Sequence, residues 1–162
     1  MTQEIERKFL ICPDAPLYVP PGTPIMQGYL AVGADHREAR LRREGPRNTL
    51  TAKSGSGLVR KEWEIELTPE QFDEMWPATA AARLTKVRHT VTVPGAAAVL
   101  DIYSGRHYGL RVVEVEFEDL TAAEAFRPPV WFGREVTGRP ELANQYLATA
   151  SPAQIVALAE LR

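Results

Sequence analysis

Glu4-Ile5-Glu6-Arg7-Lys8-Phe9 is the run from which the fold can be read. Side chains alternate along an extended strand, so Glu4, Glu6 and Lys8 point one way and Ile5, Arg7 and Phe9 the other. Alone, such a strand is accounted for by an antiparallel edge with one face in water. Downstream, the device recurs. Arg40 and Arg42 share a face opposite Leu41, and Thr49, Thr51 and Lys53 oppose Leu50 and Ala52. Glu62, Glu64 and Glu66 oppose Trp63, Ile65 and Leu67. Lys86 and Arg88 oppose Val87, and Glu114, Glu116 and Glu118 oppose Val113, Val115 and Phe117. With charged residues at 25% of the composition, one such pair carries little weight, but six successive segments argue for half-buried strands.

Working outward, the pattern predicts strands near 3–12, 25–33, 37–45, 48–54, 58–67, 83–93, 98–104 and 110–118. Pro20-Pro21-Gly22, Gly45-Pro46, Gly55-Ser56-Gly57 and Pro94-Gly95 supply the turns between them. Hairpin spacing favours an antiparallel sheet, as a sandwich or a barrel. Thr68-Pro69-Glu70-Gln71 reads as a capping box opening a helix to Met75 or Trp76, and Thr121-Ala122-Ala123-Glu124 as a second one. Arg127-Pro128-Pro129-Val130 reads as a stiff connector. The C-terminus is helical, over Pro140 to Ala148 and over Ser151-Pro152 to Leu161. The fold class expected is therefore α+β.

A length of 162 residues and a hydrophobic content of 44% suit one globular domain over residues 1–162. No apolar run approaches the roughly 18 residues of a membrane span. Met1-Thr2-Gln3-Glu4 runs straight into a charged strand, so no signal peptide is expected. Cys12, the single cysteine, leaves no internal disulfide and reads as a packed, inert thiol. Together these features point to a cytoplasmic location. A net charge of −2 offers no global attraction for nucleic acid or membrane, so no such partner is expected. A homodimer is compatible with these features and not required by them.

Burying both strand faces would take about a dozen charges out of water, each at several kcal/mol, against a net stability of roughly 5–15 kcal/mol. Two arrangements escape that cost: a sandwich with the charged parity in bulk water, or a closed sheet with that parity lining a hydrated lumen. The charges are sorted by sign, with Arg40/Arg42, Lys53 and Lys86/Arg88 basic and Glu62/Glu64 and Glu114/Glu116 acidic, whereas a merely soluble surface mixes signs. A polyphosphate needs several cationic groups, and arginine forks bind phosphate oxygens bidentately. It travels with Mg²⁺ or Mn²⁺, hard cations that select carboxylate oxygens. The chain has no P-loop or Rossmann glycine pattern, so side chains would have to hold the phosphates.

The sequence resembles the CYTH superfamily, the triphosphate tunnel metalloenzymes. The family's Glu-x-Glu-x-Lys signature stands as Glu4, Glu6 and Lys8, followed in order by Gln27-Gly28-Tyr29-Leu30, Arg40-Leu41-Arg42 and Thr51-Ala52-Lys53. Glu62-Trp63-Glu64, Lys86-Val87-Arg88, Asp101, Glu114-Val115-Glu116-Phe117 and Gly133-Arg134-Glu135-Val136-Thr137 complete it over nearly the whole chain. The resemblance implies an eight-stranded antiparallel β-barrel forming a triphosphate tunnel.

It also implies roles. Lys8, Arg40, Arg42, Lys53, Lys86 and Arg88 would hold the triphosphate, and Glu4, Glu6, Glu114 and Glu116 would bind Mg²⁺ or Mn²⁺. Glu62 and Glu64 would serve a second metal or orient water, and Lys8 or a glutamate would take the proton, with Tyr29 either bonding to Lys8 to set its charge or holding a structural water in the lumen. Asp101 and Glu135 are either ligands or structural anchors, and Arg60 either reaches phosphate or makes a salt bridge within the rows. His36, His89 and His107 lack metal-ligand spacing, and Trp63, Trp76 and Trp131 read as packing residues. The function expected is metal-dependent hydrolysis of a small linear triphosphate, inorganic tripolyphosphate first. Thiamine triphosphatase, class IV adenylyl cyclase and a non-catalytic polyphosphate-binding module are the alternatives.

Overall fold

The structure is a computed structural model that describes residues 5–12, 15, 17–33, 37–54 and 61–161. Glu4, His36 and Arg60 lie outside the described residues.

The strands are β1 (Ile5–Ile11), β2 (Thr23–Val32), β3 (Glu38–Glu44), β4 (Arg47–Ser54) and β5 (Lys61–Glu66), then β6 (Arg83–Val93), β7 (Ala96–Tyr103), β8 (Arg111–Phe117) and β9 (Phe132–Glu135). They form one antiparallel sheet in the order β5-β4-β3-β2-β6-β7-β8-β1-β9. Two expectations are corrected here. There are nine strands rather than eight, and among the described residues no ladder joins β5 to β9, so the sheet is not closed. The ninth strand has only four residues and follows a proline-rich connector, too short for alternation to register. It pairs with β1 across an irregularity between Phe9 and Ile11.

The two faces of the sheet are covered differently. Phe9, Ile11, Leu100, Val113 and Val115 build an apolar layer with Phe126 and Phe132, beside the short helix α2 (Leu120–Ala125). On the opposite face Leu10, Tyr29, Leu84, Tyr103 and Val112 pack with Leu142, Leu147, Ile155 and Leu158 from the C-terminal region. That cluster covers part of the charged face and leaves the rest uncovered. Glu6, Lys8 and Leu10 run from exposed through half-buried to buried on β1, and Glu116, Glu114 and Val112 do so on β8.

Helix α1 (Pro69–Met75) opens as expected: Thr68 Oγ1 accepts from Gln71 N, and Gln71 Oε1 accepts from Thr68 N. Two other helical expectations shift. The cap of α2 is Asp119, whose carboxylate accepts from Ala122 N at 2.7 Å, so this helix starts ahead of Thr121. An ionised acceptor at the N-cap holds an orphan amide at least as well as a threonine hydroxyl does. The expected helix from Pro140 to Ala148 is a 3₁₀ turn (Pro140–Leu142) followed by α3 (Asn144–Thr149), separated at Ala143, whose backbone is extended. Ser151 does cap the last helix, α4 (Pro152–Ala159), by a capping box with Gln154. No helix among the described residues is long and apolar enough to cross a membrane.

Gly28 on β2 shows why one motif position must lack a side chain. A Cβ there would sit 2.4 Å from Thr79 Oγ1, in the 3₁₀ turn that follows α1. Thr79 is fully buried and holds Arg83 Nε at 2.9 Å, so it cannot retreat cheaply.

Candidate functional site

Directly opposed residues in antiparallel strands share a face, so the register itself assembles the site. Lys8 lies opposite Glu114, and Glu6 opposite Glu116. Tyr29 lies opposite Arg40, Arg40 opposite Thr51, and Thr51 opposite Glu64. Gln27 lies opposite Arg42, Lys53 opposite Glu62, and Arg88 opposite Asp101. All the expected site residues that are described therefore occupy one face. The rows of one sign that run along the strands meet rows of the other sign across them.

Most cations on this face have a carboxylate in contact. Lys8 Nζ is 2.8 Å from Glu114 Oε1, and Lys53 Nζ is 2.7 Å from Glu62 Oε2. Arg88 grips Asp101 with both arms, Nε to Oδ1 at 2.8 Å and Nη2 to Oδ2 at 2.7 Å, and Nη2 stands 3.4 Å from Glu114 Oε2. Lys86 donates to the same Asp101. Asp101 is thus an anchor for two of the cations expected to hold phosphate. Burial works to raise its pKa, but the Arg88 hydrogen bonds and the Lys86 charge outweigh that and hold it at about 2. Burial is also the largest influence on Lys86, whose pKa falls to about 8 with Arg88 adding to the depression. Lys8 goes the other way: burial would lower it, but Glu114, Glu6 and Asp101 raise it above the ordinary value. Burial pulls Glu114 upward, yet Lys8 and Lys86 keep it below the usual range. Glu62, likewise opposed by burial, is held low by Lys53.

Arg40 and Arg42 on β3 differ from the rest. Their opposed neighbours are neutral, Tyr29 and Thr51 for Arg40, Gln27 and Thr49 for Arg42. Arg40 is 8% exposed and stands 3.9 Å from Glu38 and 4.0 Å from Glu62, beyond hydrogen-bond range. Among the described residues its Nε has no hydrogen-bond partner. The guanidinium of Arg42 is lowered by burial and by the neighbouring charges of Arg40 and Arg88, so cations from β3 and β6 converge across the intervening β2.

Several expectations change at this level. Tyr29 accepts a hydrogen bond from Gln27 Nε2 at 2.7 Å, so Gln27 rather than Lys8 is its hydrogen-bond partner. Burial is the largest effect raising the Tyr29 phenol above its ordinary value. Glu135 belongs to the opposite face, where Arg7 holds it by two bonds of 2.9 and 2.6 Å, making it an anchor. Glu64 accepts from Thr51 at 2.9 Å and from Arg47 at 2.9 Å. Trp63 is 57% exposed on edge strand β5 and does not pack, whereas Trp76 stacks on Phe72 and Trp131 meets Phe132 edge-on. His89 Nδ1 lies 2.7 Å from Pro20 O and His107 Nε2 lies 2.6 Å from Leu147 O, both structural contacts. Gln27 and Arg47 were missed as site neighbours. For Gln27 the signal was present, since it shares the parity of Tyr29.

The metal expectation rests on Glu6, Glu114 and Glu116, together with Glu4 outside the described residues. Glu6 and Glu116 are direct cross-strand partners, and among the described residues no group of three or more carboxylate, histidine or cysteine side chains is drawn together as a metal site.

No family model matches the chain. The inorganic triphosphatase of Nitrosomonas europaea is 43% identical over 152 residues, covering 92% of this chain and 99% of that protein. The chain belongs to the CYTH-type inorganic triphosphatase family. The inorganic triphosphatase of Acetivibrio thermocellus is 32% identical over 149 residues, covering 91% and 94% of the two chains. A crystal structure of an inorganic triphosphatase superposes with a TM-score of 0.76 at 40% identity, covering 94% of this chain and 98% of that one. Both triphosphatases and the crystal structure match this chain nearly end to end.

Proposed function

We propose that the chain hydrolyses a short linear triphosphate, inorganic tripolyphosphate above all, to diphosphate and phosphate with Mg²⁺ or Mn²⁺. One observation carries the reading: Arg40, a buried cation lacking a hydrogen-bonded carboxylate, flanked on its own strand by Arg42. A desolvated guanidinium whose carboxylates stand at 3.9 and 4.0 Å, without a hydrogen bond to either, is expensive, and an anion of high charge density is the ligand that removes the cost. The charged face then forms most of a tunnel wall around the substrate, with the apolar cluster at Tyr29 and Leu147 closing one end.

Arg40 and Arg42 grip phosphate oxygens bidentately, while Lys8, Lys53, Lys86 and Arg88 neutralise the remaining charge. Lys53 and Arg88 do so by exchanging part of their present carboxylate contacts. Water attacks the terminal phosphorus and gives up a proton to Glu62 or Glu64, the bond to the bridging oxygen breaks, and diphosphate leaves with the electron pair. Positioning and electrostatic stabilisation dominate such transfers. Glu6, Glu114 and Glu116 would hold the divalent cation, which when bound polarises phosphate oxygens and acidifies water. Lys8, its proton stabilised by Glu114, serves as a phosphate contact rather than a proton acceptor. Glu64 and Glu62, at the edge of the same face, are placed to orient the water.

Phosphate release from tripolyphosphate, ATP and thiamine triphosphate with Mg²⁺, beside a cyclic AMP assay, separates the readings. Tripolyphosphate is expected to turn over fastest. If nothing turned over while tripolyphosphate still raised Tm, the chain would be a binding module.

A further inference from the structure

Gln27 has no part in the chemistry above, yet it is 0% exposed in the middle of the charged face. A buried amide is costly unless both its ends are used. Both are used here, and by site residues. Arg42 Nε lies 2.9 Å from Gln27 Oε1, and Gln27 Nε2 lies 2.7 Å from the Tyr29 hydroxyl. A guanidinium Nε can only donate, so the amide oxygen must face Arg42 and the amide nitrogen must donate to Tyr29. That orientation has two consequences. Arg42 is anchored through Nε, and its Nη1 stands 3.8 Å from Glu44 Oε2, beyond hydrogen-bond range, so the fork can still turn to phosphate oxygens. The Tyr29 oxygen has one lone pair filled by a donor, so its own proton cannot point at Gln27 and is directed elsewhere.

We infer that Gln27 is a positioning residue, aiming the Arg42 fork at the triphosphate and turning the Tyr29 hydroxyl into a hydrogen-bond donor toward a phosphate oxygen. This rests on the reading of Arg42 as a triphosphate contact. The geometry explains why glutamine suits the position. Asparagine would fall a methylene short of spanning both partners, glutamate would offer Tyr29 no donor, and an apolar side chain would release both. Cross-strand register supports the bridge, because Gln27 lies opposite Arg42 on β3 and two residues before Tyr29 on its own face.

The test is steady-state kinetics on tripolyphosphate for the whole chain, with Gln27→Met, Tyr29→Phe and Arg42→Gln made singly and in pairs. Gln27→Met is expected to raise KM and to lower kcat, each about tenfold, as loss of a hydrogen bond to a charged group would. The kcat effect should vanish in the Tyr29→Phe background and the KM effect in the Arg42→Gln background. A side chain that merely supports the core would give additive losses instead, since only residues acting through one another couple. Additive double mutants, or Gln27→Met kinetics within about twofold of the parent, would overturn the inference. Should Gln27→Met not fold, Gln27→Asn keeps a polar head but cannot span the bridge. It should show the same two losses, and parent-like kinetics would again refute the proposal. The single Arg42→Gln variant separates the two levels. If its KM is unchanged, the phosphate reading of Arg42 fails and the inference falls with it. If its KM rises while Gln27→Met is silent, only the role of Gln27 is lost.

Discussion

Arg40 is the residue at which stability and function pull apart. It is buried, its nearest carboxylates stand at 3.9 and 4.0 Å, beyond hydrogen-bond range, and its Nε lacks a partner among the described residues. Replacing it with methionine is therefore expected to leave Tm unchanged or raise it, while KM for tripolyphosphate rises at least about tenfold, the worth of a charge-assisted hydrogen bond. A fall in Tm with unchanged KM would show that the guanidinium serves the fold instead. Asp101 is the opposite case. Its carboxyl, at about 2 when folded against an ordinary 3.8, contributes stability that is complete above about pH 4 and is lost as pH falls through about 2. The shift corresponds to about 2 kcal/mol. Asp101→Asn should accordingly melt below the parent at pH 7, and the gap in Tm should narrow toward pH 2. A gap that stayed constant over that range would mean that the ion pairs with Arg88 and Lys86 are not what lowers the group.

At the level of elements, the opening run serves both faces of the sheet. Glu6 and Lys8 face the charged side, while Arg7 reaches the other, where it holds Glu135 on β9 and donates to the carbonyls of Ala123 and Phe126 at the end of α2. Thr137 extends the clasp, donating to Glu135 at 2.7 Å and accepting from Lys8 N at 3.0 Å. Arg7→Met should cost about 1–3 kcal/mol, the usual penalty for stranding charge-assisted partners. Hydrogen exchange should show the loss first at the Phe132 and Val136 amides, ahead of β6 and β7. Uniform acceleration across all strands would argue against a local clasp. The parity of Arg7 was legible in the sequence; its partner 128 residues away was not, because an alternation pattern names a face and not a neighbour.

For the whole molecule, the C-terminal helices close one end of the charged face through side chains that the sheet itself contributes. Leu147 is fully buried in the same cluster as Tyr29, Leu84 and Tyr103. Leu147→Ala should destabilise the protein by about 2–5 kcal/mol, as large-to-small core changes do. Below the shifted melting point its KM for tripolyphosphate should stay within about twofold of the parent, because no phosphate contact is lost. A tenfold KM change would mean that the helices shape the site directly.

Sequence by itself determined eight of the nine strands described, the face on which each charge lies and the identity of the cations and carboxylates. It could do so because backbone pleating alternates side chains whatever the strand later pairs with. Only the tertiary structure decided which charges meet. Signs that run in uniform rows along Arg40/Arg42, Lys86/Arg88 and Glu114/Glu116 are interleaved across the sheet by strand order and register. Lys8, Lys53 and Arg88 become compensated in this way, and Arg40 and Arg42 are left opposite neutral cross-strand neighbours. Register also turned Gln27, a motif residue without an assigned task, into the bridge between Arg42 and Tyr29. It gave the short β9 a partner in β1 and left the sheet unclosed. These outcomes depend on contacts between residues distant in the chain, which no local period encodes.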